Sequence, residues 1–381
     1  MEFGFSVEQE ELRRTVRDLL AKEAGPAPFR AALDASDHSP DALWQRVSDE
    51  LGWCGICVPV SAGGLGLGMV ELAIVQEEAG RALFGTPFFS TVCLATPLVA
   101  ESGSGPVQEN FLRGVATGGL CATAALIEPT GRWDAAGVEA CATRSGDSWR
   151  LSGCKSFVTD AHLADEIVVL ARTHPSEAPE DGLSLFLVPA ELLVRPPEVM
   201  DSLDNTRRLC RVFLDGVDIP AERLLGAPGA GWQILEAAMD RMAVAVAAEA
   251  VGVGAQAVDM ATGYAKQRVQ FDRPIGSYQA IGHRCVDMFA AVEAARSAVY
   301  FAAWAIDEMA PEARPAAATA KVAGGEAGHL AAAGCVQVHG GIGFTWEHDA
   351  HLFYRRAQFC RMFLGDASRW RDRIAVLALT G

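Results

Sequence analysis

Ala243-Val244-Ala245-Val246-Ala247-Ala248-Glu249-Ala250-Val251-Gly252-Val253 is apolar or small on nearly every side, with one charge in eleven residues. A segment of that kind has no solvent face, so it reads as the middle of a helix buried all round, within a subunit or between subunits. It lies in a helical stretch from Trp232 to Lys266. Two further stretches, Ala280 to Met309 and Ala316 to Val338, follow it, and all three far exceed an average globular helix. Residues 225–381 are therefore expected to form a helical bundle whose apolar faces favour assembly.

Upstream the hydrophobic period changes. Trp149-Arg150-Leu151-Ser152-Gly153, Ile167-Val168-Val169-Leu170 and Leu183-Ser184-Leu185-Phe186-Leu187-Val188 read as short strands between polar or Gly/Pro turns. Strands at that spacing, with no helices between them, predict a β domain over 119–224, an antiparallel sandwich or barrel. Before it, residues 1–118 return to helical spacing, as at Leu12, Val16, Leu19 and Leu20, and Ser6 with Gln9 forms a capping-box pattern. Gly63-Gly64-Leu65-Gly66-Leu67-Gly68 lacks the spacing and preceding strand of a dinucleotide fingerprint and reads as a loop.

The chain has 381 residues, 50% hydrophobic and 21% charged, which suits a large packed core and excludes disordered and fibrous classes. A formal charge of -16 repels nucleic-acid phosphates and anionic lipid, so neither nucleic acid nor membrane is expected as a partner. Met1 to Glu10 shows no basic segment followed by an apolar one, and no run of eighteen uncharged apolar residues occurs, so a cytoplasmic protein is expected. The ten cysteines are scattered singly, as at Cys93, Cys121 and Cys335, and read as reduced thiols. The pair Cys54 and Cys57 sits inside the apolar run Leu51 to Val60 and reads as packing rather than as a redox or metal site. There is no Walker loop, H-E-x-x-H or His-rich cluster, so no metal is expected. His339-Gly340-Gly341 is similar to an esterase oxyanion loop, but no G-x-S-x-G elbow accompanies it.

The order helical domain, β domain, helical bundle resembles the acyl-CoA dehydrogenase family, and local motifs agree along nearly the whole chain. Leu51-Gly52-Trp53 through Val58-Pro59 to Gly66 resembles the first-domain loop, and Glu128-Pro129 with Asp134-Ala135-Ala136-Gly137 the flavin-side turn. Phe157-Val158-Thr159 resembles the strand facing the flavin. Arg268-Val269-Gln270-Phe271 with Gln279, and Gln337-Val338-His339-Gly340-Gly341-Ile342-Gly343-Phe344, resemble the two C-terminal signatures. The resemblance implies a mainly α fold with a central β domain and a C-terminal four-helix bundle. It implies FAD as cofactor, an acyl-CoA thioester as substrate, and electron-transfer flavoprotein as acceptor. In this chemistry a carboxylate removes the Cα proton while the flavin takes a hydride from Cβ. By resemblance Arg268, Phe271, Gln279, Gln337 and Gly341 hold the AMP half of FAD across a subunit boundary, with Phe157 and Thr159 on the flavin. Their chemistry suits this, through a planar bidentate donor, an aromatic face, two amides and a close backbone approach.

The sequence also departs from the family. Where the usual catalytic Glu stands in a Tyr-Glu-Gly-Thr-like turn, this chain reads Phe363-Leu364-Gly365-Asp366, and the alternative position on the first long bundle helix is Met242. Asp240 lies about 200° around that helix from Met242, and Glu249 is displaced by roughly 10 Å along it. Asp366 adjoins the altered turn; these three are weak substitutes, and Glu249 reads better as a buried carboxylate with a partner. Ile127 and Trp133 replace the usual Thr and Ser beside the flavin, which deletes two hydroxyls and adds bulk. The stretch His348 to Arg356 followed by Leu364-Gly365-Asp366 resembles one partner subunit of two-gene acyl-CoA dehydrogenases that act on steroid side chains, in which unlike chains share each FAD. The leading expectation is such a subunit of a hetero- or homotetramer in lipid or steroid catabolism. An active homotetramer with an unusual carboxylate is the alternative, and a scaffold subunit without cofactor the third.

Overall fold

The computed structural model describes residues 4–34 and 42–380. Among the described residues six α-helices precede the first strand: α1 (Val7–Glu23), α2 (Pro26–Asp34), α3 (Ala42–Gln45), α4 (Met69–Arg81), α5 (Thr96–Glu101) and α6 (Pro106–Ala116). The expected capping box is formed. Gln9 N–H donates to Ser6 Oγ at 3.2 Å and Ser6 N–H to Gln9 Oε1 at 3.0 Å, a cap of the kind that contributes about 1 kcal/mol. Val16 and Leu20 lie on the buried face that α1 turns inward. The Gly-rich loop packs rather than binds: a Cβ added at Gly64 would lie 2.1 Å from the Val58 carbonyl oxygen. Cys54 and Cys57 are unpaired, and burial pushes the Cys57 thiol up to about 12, so both are protonated packing groups.

The β domain comprises β1 (Ala122–Ala125), β2 (Cys141–Ser145), β3 (Ser148–Ser152), β4 (Cys154–Thr159), β5 (Glu166–Arg172), β6 (Leu183–Pro189), β7 (Glu198–Val199), β8 (Leu209–Phe213), β9 (Val217–Pro220) and β10 (Leu224–Leu225). One sheet runs β10-β6-β5-β2-β3-β9 with β1 also on β5; the second runs β4-β8-β7. Most pairs are antiparallel, but β1 and β2 both pair parallel with β5, so the sheets are mixed rather than purely antiparallel. The connection from β1 to β5 contains three other strands, long enough to return the chain in the same direction.

The C-terminal domain is built from α7 (Gly231–Gln267), α8 (Gln279–Asp307), α9 (Ala313–His339), α10 (Ala350–Met362) and α11 (Ala367–Thr380), with the hairpin β11 (Val269–Gln270) and β12 (Arg273–Pro274) after α7. Helices α7 to α10 form the bundle, and α11 packs on α9. Residues 243–253 are buried on every side, as their composition requires. By length and hydropathy alone α7 and α8 would suffice to cross a membrane. The apolar window of α7 is 89% buried by its neighbours, whereas that of α8 is only 39% buried. On that open flank Val286 and Phe289 of α8 and Leu330 of α9 face outward.

Candidate functional site

A cavity of about 850 Å³ opens between the β domain and the C-terminal helices. Helix α10 contributes Arg355, Phe359 and Met362, the i, i+4, i+7 face of the helix, and α11 contributes Arg369, Arg373 and Val376 by the same periodicity. From the β domain come Trp133 and Asp134 on the β1–β2 loop and Phe157 on β4. Trp133 stands edge-on to Phe363 with centroids 5.4 Å apart, and Phe363 stacks on Phe359 at 4.8 Å. The indole thus fills a stretch of wall where the resemblance noted above implies a small hydroxyl side chain.

Behind this wall lies a buried ionic network. The opposite face of α10 carries Arg356, fully buried, which donates to Asp204 at 2.7 Å, to Glu249 at 2.6 Å and to the carbonyl and hydroxyl of Thr206 at 2.9 and 2.6 Å. Arg207 donates both terminal nitrogens to Glu249 at 3.0 Å and stacks 3.9 Å over Phe89. Burial alone would raise the Glu249 carboxyl, but the two guanidinium groups outweigh it and hold it below its ordinary value. The network therefore ties α7, α10 and the β7–β8 loop together beneath the cavity. Asp160 nearby is buried with Oδ2 unpaired, and burial pushes its carboxyl up to about 6 against the pull of Arg207 and Arg356. A carboxyl raised in the folded state penalises the fold as pH rises through about 4 to 6. Asp160→Asn should accordingly stabilise the protein at pH 8 by on the order of 1–3 kcal/mol, with the gain vanishing near pH 4. Urea titrations at the two pH values check this; an equal effect at both would assign Asp160 a purely steric role.

The turn joining α10 to α11 sits at the cavity edge. Phe363, Gly365 and Asp366 line the cavity, while Leu364, at φ 63°, is fully buried. Lys321 of α9 caps the end of α10, donating to the carbonyls of Cys360 and Arg361 at 3.0 and 3.3 Å, and Trp370 Nε1 donates to the Leu364 carbonyl at 3.0 Å. Asp366 Oδ1 accepts from the Arg369 N–H at 3.0 Å and starts α11.

The residues expected at the site separate into groups. Phe157 lines the cavity but Thr159 does not: Thr159 is fully buried and its hydroxyl lies 3.4 Å from that of Thr123. A regular strand would put both on one face; here a register shift between Lys155 and Val158, with Phe157 at φ 57°, breaks the alternation. Of the three weak base candidates only Asp366 reaches the cavity. Asp240 pairs with Arg373 at 3.1 Å, and both Glu249 oxygens accept from guanidinium donors. Met242 is wholly buried beside Met239, which is the α7 residue that does line the cavity.

Arg268, Phe271, Gln279, Gln337 and Gly341 all lie at one end of the bundle, where Tyr264 of α7 stacks on His339 of α9 at 4.4 Å, and all five are exposed. Their donors, ring and open backbone are free there to meet a ligand or a second chain. Among the described residues no carboxylate pairs with Arg268, the Phe271 ring is 87% exposed, and a Cβ added at Gly341 would meet nothing within 4 Å.

Arg356, Arg207 and Asp204 were not singled out from the sequence. Arg356 carried a signal, because it recurs with Leu352 and Cys360 at helical spacing on the apolar side of α10. Arg207 and Asp204 lie in a loop with no period to mark them.

Comparison with known proteins bears on the whole chain. The N-terminal, middle and C-terminal domain models of acyl-CoA dehydrogenase match residues 6–119, 123–217 and 229–378. The chain is 31% identical to the mouse mitochondrial short-chain specific acyl-CoA dehydrogenase, over 96% of this chain and 88% of the relative. It is also 31% identical to acyl-CoA dehydrogenase IpdE2 of Mycobacterium tuberculosis, over 92% and 91%. A chain of the ChsE4-ChsE5 complex from the same organism superposes with a TM-score of 0.88 and 27% identity over the full length of both.

Proposed function

Because the chain belongs to the acyl-CoA dehydrogenase family, whose members are FAD-dependent oxidoreductases acting on the CH–CH bond of an acyl-CoA, we propose that it is one subunit of a tetramer, that it lacks the family's usual base and that it shares FAD with an unlike chain. The observation carrying this reading is the cavity edge at 363–366. The groups it presents to the cavity are an aromatic ring, a glycine and an aspartate already capping α11, while Leu364 is turned into the core.

Two features support sharing. The five-residue adenosine end sits on the exposed end of the bundle rather than in the cavity, which suits a cofactor bound partly by another subunit. The apolar flank of α8 and α9 offers a surface for that subunit, and the ChsE4-ChsE5 chain of similar fold was solved as a complex of two proteins.

Bound across that boundary, FAD supplies the acceptor for the hydride from Cβ. Arg268 would hold the pyrophosphate, Phe271 would offer its ring to the adenine, and Phe157 and Trp133, which line the cavity, would pack on the acyl chain and exclude water. A base on the partner chain would take the Cα proton, and electron-transfer flavoprotein would be the electron acceptor. A lipid or steroid-derived acyl group is the substrate class. An active homotetramer using Asp366 is the competing reading, since that carboxylate does line the cavity.

Arg268→Ala should lower the flavin content of the purified protein, because an anionic pyrophosphate loses a bidentate partner worth about 1.5–3 kcal/mol. Absorbance at the flavin band per mole of protein measures it; unchanged flavin content would make Arg268 a purely structural residue. Sharing is tested by co-expression with any acyl-CoA dehydrogenase-like chain that co-purifies with this one from its native cells. A mixed tetramer with fewer FAD molecules than chains is expected, and a homotetramer with one FAD per chain and full activity would refute it.

A further inference from the structure

Three arginines line the cavity, and they are not equivalent. Arg373 is paired with Glu236 and Asp240, and Arg355 donates to the Leu203 carbonyl at 3.0 Å. Arg369 has neither: among the described residues its guanidinium makes no ion pair within 4 Å and no hydrogen bond. It is half-buried, and burial pulls its pKa below the ordinary arginine value while Glu236 and Asp134 act on it only from a distance. The side chain lies across the altered turn, so that a Cβ added at Gly365 would be 2.4 Å from Arg369 Cδ and 3.2 Å from its Nε. It stands in the first turn of the fourteen-residue α11, and its own backbone N–H is capped by Asp366. A desolvated cation placed at such a position, without a partner, costs stability unless a ligand supplies the counter-charge.

Resting on the acyl-CoA reading above, we propose that Arg369 is a specificity-determining residue that binds a free carboxylate on the acyl group, so that the preferred substrate is the CoA thioester of a dicarboxylic acid. The planar fork of the guanidinium matches a carboxylate edge bidentately. Three features favour a carboxylate over a cofactor or CoA phosphate. The pyrophosphate already has its own guanidinium at Arg268, on the exposed end of the bundle. Asp134, Asp366 and Asp372 line the same cavity and would repel a doubly charged phosphate more than a single carboxylate. The rest of the wall near Arg369 is apolar, from Phe363, Trp370 and Val376, and suits a methylene chain leading to the charge.

Adipoyl-CoA and hexanoyl-CoA have the same chain length and differ only in a terminal carboxylate. Calorimetric titration of the purified flavin-loaded protein, with its partner chain where one co-purifies, should show adipoyl-CoA binding at least about tenfold tighter. Arg369→Met should abolish that preference while leaving hexanoyl-CoA affinity and flavin content unchanged, which also shows that the variant folds; Arg369→Lys should keep part of it. Equal affinities in the unaltered protein would overturn the proposal. So would an Arg369→Met variant that loses both ligands alike, or that loses its flavin, since the guanidinium would then serve the fold or a phosphate. If neither thioester binds the unaltered protein although flavin is present, the acyl-CoA reading itself falls and takes this proposal with it.

Discussion

Mixed with a panel of acyl-CoA thioesters in the absence of an unlike chain, the flavin-loaded protein is expected to bleach slower than its Leu364→Glu variant by about 10²–10⁴-fold, the usual contribution of a positioned general base. On the proposed reading the family's two base positions fall at Leu364 and Met242, both fully buried apolar side chains. Leu364 adjoins the cavity-lining Phe363 and Gly365, and Met242 lies one turn from Met239, so a carboxylate at either has a short path to the cavity. Met242→Glu is therefore the parallel test. Stopped-flow absorbance at the flavin band reads the first turnover and separates proton removal from later electron transfer. Robust bleaching by the unaltered homomer would instead make Asp366 the base. Asp366→Asn would then abolish it, although that change also weakens the cap on α11. If neither Glu variant bleaches while flavin stays bound, Ile127 and Trp133 become the obstacle, and Trp133→Ser is the next variant to measure.

The largest expected loss of stability comes from Glu249→Gln. That change removes the one carboxylate shared by Arg207 and Arg356, and both guanidinium groups then remain buried with only Asp204 and neutral acceptors. Breaking a buried pair from one side typically costs about 3–5 kcal/mol. Chemical denaturation at pH 7 measures it, and a loss below about 1 kcal/mol would show that water reaches the network. Adding Arg207→Met to Glu249→Gln should recover part of the loss, because it removes one of the stranded charges. The pH dependence has the opposite sign to that of Asp160. A carboxyl held below its ordinary value contributes stability that is present above the unfolded value of about 4.5 and is lost as pH falls below it. Glu249 thus sharpens acid unfolding, whereas Asp160 relieves its own penalty in the same range.

The sequence by itself determined the three-block architecture, because burial imposes a period that survives in the residue order. An eleven-residue segment without a polar face has to be a core helix, an alternating strand such as Ser148–Ser152 has to sit half-buried, and Ser6 with Gln9 closes its cap within four residues. It also marked Leu364 and Met242 as positions that cannot supply a base, since neither an alkyl group nor a thioether takes a proton near neutral pH wherever it points, and the proposed reading rests on that. Tertiary structure decided the rest. The register shift between Lys155 and Val158 turned Thr159 away from Phe157, which period-2 reasoning cannot foresee without the pairing strand β8. Glu249, Arg207 and Arg356 come from three separate elements, and only their packing shows that the one charge in the apolar run 243–253 is neutralised from outside its helix. Arg369, Arg373 and Arg355 look alike in the sequence. Arg373 finds its carboxylates, Glu236 and Asp240, 137 and 133 residues away, whereas Arg355 finds a backbone carbonyl and Arg369, among the described residues, neither, and the electrostatic balance of a cavity is a property of distances that chain order does not contain.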